Sequence, residues 1–271
     1  MHHEEIDLPG PRLPHDMAIT ENYSILMDLP LFWDPELLKR QAHKVTYYPE
    51  LPSRFGIIPR HGKAETIKWF EGSPCYIYHA VNAWEEGDEI IMDACRVLEA
   101  APKPAAPKDD NSRMLSFLKL AARMYRWRFN LKTGATREEP LDDANTEFPT
   151  INRRALGRKS RFAYNVNLTY TPALAFDGLT KYDLQKGTSE RYDFGAGRFG
   201  SEAPFAPRVG SQSEDDGYVV TFVADINSGQ SEVLVLRALD FGSNPIARVE
   251  IPQRVPLGFH ALWIPGEKLN Y

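Results

Sequence analysis

Short runs that are apolar throughout, or that alternate apolar with polar residues, recur along the chain: AITENYSILM, CYIYHAV, EIIMDAC, MYRWRFNL, YVVTFVA and EVLVLRA. They are rich in Val, Ile, Tyr, Phe and Trp and are bounded by Gly, Pro, Asn and Asp, the signature of β-strands separated by turns. The pattern predicts an all-β protein. Two of the predicted hairpins resemble each other, since WRFNLKTGATREE and TKYDLQKGTSERY both place a strand, a glycine turn and a second strand in the same order. Their glycines, Gly134 and Gly187, stand roughly one propeller blade apart, on a blade length of about 40–50 residues.

One segment breaks this pattern. AAPKPAAPKDDNSR, residues 100–113, is rich in Pro, Ala and charge and reads as a surface loop or insertion. After it, Met114, Phe117, Leu118 and Ala121 recur at helical spacing, which predicts a short amphipathic helix. Its apolar stripe is too short to hold a bilayer strongly, so packing over a sheet face is preferred to a membrane or substrate-mouth role.

Composition narrows the function. The formal charge is −5 and the isoelectric point near 5.8, so no basic footprint for nucleic acid is present. Cys75 and Cys95 form no CxxC pair and read as reduced core residues rather than a disulfide or thiolate zinc site. The N-terminal MHHEEIDLPGPR lacks the basic flank and apolar run of a signal peptide, and no apolar run of about 18 residues occurs. A cytoplasmic location is expected. His2 and His3 have no spaced partner ligand and read as neither a metal motif nor a tag.

Two histidines near opposite ends of the chain, His15 in PHDMAITENY and His260 in GFHALWIP, lie in extended stretches. Neutral imidazole is a good ligand for Fe(II), and a ligating ring needs its second nitrogen held by an acceptor. Glu147 in TEFPTIN and Glu202 in SEAPFAPR have apolar, proline-containing surroundings that suit a buried, paired carboxylate. Other conspicuous residues have plainer readings. His79, in CYIYHAV, is the main rival ligand and reads as a hydrogen-bonded core histidine. His43 and His61 adjoin Lys44 and Arg60 and read as solvated. The pairs Glu85/Glu86, Asp142/Asp143 and Asp215/Asp216 read as turn residues rather than a glycosidase pair or calcium site. No GxSxG occurs, and GAGRFG at 195–200 lacks the Lys-Ser/Thr ending of a phosphate loop, so it reads as a glycine turn.

Taken in order, these motifs resemble those of the carotenoid cleavage oxygenases, the family that includes the lignostilbene dioxygenases and a retinoid isomerase of the retinal pigment epithelium. PHDMAITENY resembles the HDFxITxNY motif and PSRFGIIPR the SRFGVLPR strand. HAVNAWEEGDEIIMDACR is similar to the HxxNAWEE segment and its following strand. TEFPTIN and SEAPFAPR resemble the EFP and EPxFxPR motifs, EDDGYVVTFV the EDDGYLL strand, and PQRVPLGFHALWIP the closing GFHGxW motif. The resemblance spans essentially the whole chain. It implies a seven-bladed β-propeller with Fe(II) on its axis, held by four neutral histidines. His15 and His260 would be the third and fourth ligands, backed by Glu147 and Glu202 respectively. The implied reaction is O2-dependent scission of a conjugated carbon–carbon double bond to two carbonyl products, with an apolar tunnel choosing the bond and no organic cofactor.

The departures shape the expectation. Ala261 stands where glycine is usual, and Ala203 is an extra residue between Glu202 and Pro204, which loosens the expected aim of Glu202. The family's first two histidines and first carboxylate have no counterpart. The chain is therefore expected to be the C-terminal part of such an enzyme: a single domain over 1–271 with the 100–113 insertion, about four to five blades, inactive alone and prone to association through open sheet edges. The expected partners are O2 and an apolar carotenoid, apocarotenoid or stilbene, with peripheral membrane contact possible for the full-length protein. The competing reading is a non-catalytic propeller fragment serving as a scaffold, because two histidines hold Fe(II) weakly.

Overall fold

The computed structural model describes residues 2–42, 44–98, 100, 120–169 and 174–269. The insertion at 101–113, most of the expected helix at 114–121 and His43 lie outside them. The chain divides into two compact units, Met1–Asp143 with Gly157–Lys159, and Ala144–Leu156 with Ser160–Tyr271.

The first unit contains β1 (Ala18–Ile19), β2 (Tyr23–Asp28), β3 (Leu31–Trp33), α1 (Pro35–Lys39), β4 (Val45–Tyr47), β5 (Ser53–Pro59), β6 (Lys68–Gly72), β7 (Tyr76–Glu86), β8 (Glu89–Val97), β9 (Ala122–Asn130) and β10 (Thr136–Pro140). They form two four-stranded sheets, ordered β1-β2-β5-β6 and β10-β9-β8-β7, and the hairpin β3-β4. All pairings are antiparallel. The second unit contains β11 (Thr146–Thr150), β12 (Phe162–Leu168), β13 (Phe176–Asp183), β14 (Thr188–Asp193), β15 (Arg198–Gly200), β16 (Phe205–Pro207), β17 (Gly217–Asp225), β18 (Ser231–Arg237) and β19 (Ala247–Ile251). Its sheets are β11-β12-β13-β14 and β15-β17-β18-β19, with β16 also paired to β17. The strand runs read from the sequence fall on these elements, in four sheets of blade size. The hairpin β3-β4 with α1 was not foreseen. The helix has only five residues, too few for periodicity, and starts because Asp34 accepts the amides of Glu36 and Leu37 while proline fills its first turn.

The two look-alike hairpins are β9–β10 and β13–β14, each joining the third and fourth strands of its sheet. Both turns are built the same way. Asn130 Oδ1 accepts the amides of Lys132 and Thr133, and Asp183 Oδ1 accepts those of Gln185 and Lys186. Gly134 and Gly187 close them at φ +77° and +65°, a region that glycine enters without a Cβ clash.

The core follows burial of both sheet faces. β8 is buried along almost its whole length, which explains why EIIMDAC shows a continuous apolar run rather than alternation. Its buried carboxylate, Asp93, is held bidentately by Arg126 at 2.7 and 2.8 Å. Phe55 of β5 packs on Trp127 and Phe129 of β9, with ring centroids 5.8 and 5.0 Å apart, and so joins the two sheets of the first unit. In the second unit Tyr164 stacks on Phe205 at 5.5 Å. Cys75 and Cys95 are buried thiols outside any disulfide, and burial raises the Cys75 thiol to about 11. Asp215 departs from the turn reading: it is buried and paired with the Lys181 ammonium at 3.0 Å, while Asp216 is bound by Arg208 at the strand entry.

Glu85, near the end of β7, clamps the β1–β2 turn. One carboxylate oxygen accepts the Thr20 hydroxyl at 2.7 Å and the Asn22 amide at 2.8 Å, and the other accepts the Asn22 side chain at 3.1 Å. Desolvation would raise this carboxyl, but the three hydrogen bonds outweigh it and hold it below its ordinary value of 4.5. A carboxyl lowered in the folded state stabilises above its ordinary value and loses that contribution as pH falls through the folded one. The protection of the Asn22 amide, its exchange rate relative to an unstructured amide at the same pH, is therefore expected to hold at neutral pH and to fall only as pH drops below the ordinary carboxylate range. Replacing the fully buried Phe55 by alanine should lower unfolding stability by about 3–5 kcal/mol, measured by urea denaturation, because it empties the seam between two sheets.

Candidate metal centre

The segment carrying His15 is laid along β7 by a series of polar contacts. The Tyr76 hydroxyl donates to Leu13 O at 2.9 Å, His15 Nδ1 lies 2.9 Å from Tyr78 O, and Asp16 Oδ2 accepts the Ala80 amide at 2.8 Å. Strand β7 can offer these groups because its pairing with β8 shifts register between Ile77 and Ala80 and again between Ala80 and Asn82. A bulge turns main-chain groups away from the ladder. A carbonyl only accepts, so Nδ1 carries the proton and the neutral ring has its lone pair on Nε2. An apolar hollow of about 390 Å³ has His15 on its wall, with Ile6, Leu8, Met17, Leu26 and Met27 among its lining.

In the second unit, the loop after β19 brings His260 to Glu202. Glu202 Oε2 lies 3.4 Å from His260 Nδ1 and accepts the Ala261 amide at 2.6 Å. The extra Ala203 does not turn the carboxylate away, because Ala203 is itself buried and β16 begins only at Phe205. Glu147 is fully buried in β11. Its carboxylate bends back to accept the amide of Phe148. Phe148 has a left-handed backbone, φ +49°, at a break in the β11–β12 register between Glu147 and Thr150. That conformation is costly for a bulky residue, on the order of 1–3 kcal/mol, and persists where the surroundings fix it. Here they do: the Phe148 ring packs on Phe176 at 5.1 Å, Phe259 at 5.8 Å and the His260 imidazole at 5.5 Å.

The structure thus joins His260 to Glu202 within one unit, while His15 belongs to the first unit and Glu147 to the second. The Tyr78 carbonyl could not be foreseen, because a main-chain acceptor leaves no residue-type signal. Asp16 and Phe148 were visible only as parts of PHDMAITENY and TEFPTIN. The rival His79 is half-buried in β7 and meets the His15 ring edge-on at 5.0 Å. Glu86 pairs with Lys159, Asp142 caps the Asp143 amide at 2.7 Å, and GAGRFG opens with a turn that has Gly195 and Gly197 at positive φ, while its last three residues form β15.

The donor chemistry fits a metal. At both His15 and His260 an oxygen acceptor faces Nδ1, the arrangement that presents Nε2 to a cation and fixes the ring. Among the described residues no group of three or more His, Cys, Asp and Glu side chains forms a complete ligand cluster.

The family profile of the retinal pigment epithelial membrane protein matches residues 1–265. A carotenoid 9,10(9′,10′)-cleavage dioxygenase of Pisum sativum is 40% identical over 284 residues, covering 98% of this chain and 51% of its own length. A carotenoid cleavage oxygenase of Mycobacterium tuberculosis is 29% identical over 309 residues, covering 96% and 60%. Among solved structures, the lignostilbene dioxygenase of Pseudomonas brassicacearum superposes with a TM-score of 0.83 at 28% identity, over 96% of this chain and 57% of that one. Cobalt-substituted Synechocystis ACO gives 0.84 at 25% identity, over 95% and 54%. The chain spans about half the length of the curated plant relatives it matches. Its blade-sized antiparallel sheets are those of the carotenoid oxygenase propellers, matched over little more than half of each. The chain belongs to the family of the retinal pigment epithelial membrane protein and the carotenoid cleavage dioxygenases.

Proposed function

We propose that this chain carries part of the catalytic site of a non-haem Fe(II) dioxygenase that splits a conjugated C=C bond of a carotenoid, apocarotenoid or stilbene. The balanced reaction is R–CH=CH–R′ + O2 → R–CHO + R′–CHO. The observation that carries the reading is the shared arrangement at His15 and His260, each with an oxygen facing Nδ1. The relatives support the substrate class, since they include carotenoid cleavage dioxygenases and a structural neighbour is a lignostilbene dioxygenase. A cobalt-substituted neighbour supports a metal at the site.

In this proposal His15 and His260 hold the metal through Nε2. Bound Fe(II) would supply O2 activation without organic cofactor. Tyr78 O holds the His15 ring, and Glu202 holds His260 and the Ala261 amide together. Glu147 fixes the bulge that presses Phe148 against His260. Phe148 and Phe259, nearly parallel at 21°, present an apolar face that suits a conjugated hydrocarbon. The hollow beside His15, lined mainly by aliphatic side chains and methionines with Asp16 and Asp28 also on its wall, suits the same chemistry and falls within the size range of small-molecule sites.

The scaffold reading stands as the alternative, favoured by the lack of a three-ligand cluster among the described residues. The deciding test measures iron content and O2-dependent cleavage for the chain alone and for a version extended at its N-terminus from the source genome. Paired aldehyde products, with iron lost on His15→Ala or His260→Ala, are expected in the extended protein. Iron in neither protein would favour the scaffold. Glu202→Gln keeps the side chain's size but removes its charge. It is expected to weaken iron binding about 10–100-fold by equilibrium dialysis, and unchanged affinity would remove Glu202 from the site.

A further inference from the structure

We infer that Asp16 is the positioning residue of His15: it locks the histidine-bearing segment onto the bulge of β7 and so holds the His15 ring in its Nδ1–H form. The inference rests on the reading of His15 as a metal ligand and goes beyond it by naming the residue that orients it. Three observations carry it. Asp16 uses both carboxylate oxygens on main-chain amides, Oδ2 on Ala80 at 2.8 Å and Oδ1 on its own neighbour Met17 at 2.7 Å. The Ala80 amide lies two residues beyond the Tyr78 carbonyl that faces His15 Nδ1 at 2.9 Å. Both groups lie where β7 departs from regular pairing with β8.

The dipeptide His15–Asp16 therefore docks at two points. The ring meets a carbonyl and the carboxylate meets an amide two residues further along the same strand. Removing the carboxylate leaves the ring, on an exposed side chain, with its bond to the Tyr78 carbonyl and its edge-on contacts with the Tyr78 and His79 rings. A single bond of that kind contributes little net stabilisation in water, about 0.5–1.5 kcal/mol. The ring would then turn and populate both neutral tautomers, and in one of them the Nε2 lone pair that a metal needs is replaced by a proton. The more distant anchors, the Tyr76 hydroxyl on Leu13 O and the Glu85 clamp on Thr20 and Asn22, keep the segment on β7. The expected loss is thus of ring orientation rather than of fold.

The test is a long-range 1H–15N correlation spectrum of the full chain with 15N-labelled histidine, at a pH where imidazole is neutral, for wild type, Asp16→Ala and Asp16→Asn. Wild type is expected to show His15 with the proton on Nδ1. Asp16→Ala should show mixed tautomers, and Asp16→Asn, which retains one acceptor oxygen, an intermediate mixture. Zn(II) is added as a diamagnetic probe and should shift His15 Nε2 in wild type, with an affinity about 10–100-fold weaker in Asp16→Ala. Circular dichroism establishes that each variant is folded, and Asp16→Asn is the one read if Asp16→Ala is not. A pure Nδ1–H signal in a folded variant would overturn the role of Asp16. A tautomer change in the variants, with no Zn(II) effect on His15 in wild type, would uphold Asp16 as the positioning residue and overturn His15 as a ligand.

Discussion

A neutral imidazole has one proton and one lone pair on two nitrogens, and whichever nitrogen holds the proton decides which way the ring can bind a cation. The function proposed for this chain depends on that constraint being met at His15 and at His260. It is met in two ways. His15 is set against a main-chain carbonyl, which is available because β7 is bulged. His260 is set against a carboxylate that also holds the next amide of the same loop. A carbonyl fixes the tautomer without adding charge. The carboxylate adds negative charge next to the ring and strengthens it as a donor to a metal.

What makes the first solution possible is rigidity behind it. Strand β7 is paired along its length with β8, and β8 is almost entirely buried. The Asp93–Arg126 ion pair and the Phe55–Trp127–Phe129 cluster hold that sheet from both sides. A bulge in a strand so well supported presents its carbonyl at a fixed place. The second solution uses strain in place of regular pairing. Phe148 is kept in a left-handed conformation by its aromatic neighbours, and its ring is thereby held on the His260 imidazole.

Much of this was legible in the sequence. The strand runs and the paired glycine turns at Gly134 and Gly187 were readable because each rests on local residue chemistry: alternation, β-branched residues, and an Asn or Asp four positions before a glycine. The approach of Glu202 to His260 was expected from motif resemblance. Less could be read where the signal is tertiary or main-chain. The hairpin β3-β4 and α1 are too short to show a period. Asp215 resembles a turn residue until the Lys181 ammonium beside it is seen. The Tyr78 carbonyl has no residue identity at all, and the extra Ala203 suggested a misdirected Glu202 that the packing of Ala203 corrects.

The central claim is that His15 and His260 bind iron through their nitrogens. X-ray absorption at the iron edge of the Fe(II)-loaded protein tests it most directly. Imidazole scattering around the iron is expected, diminishing in step when either histidine is replaced by alanine. A first shell of solvent oxygen alone, identical in the parent and both variants, would contradict it.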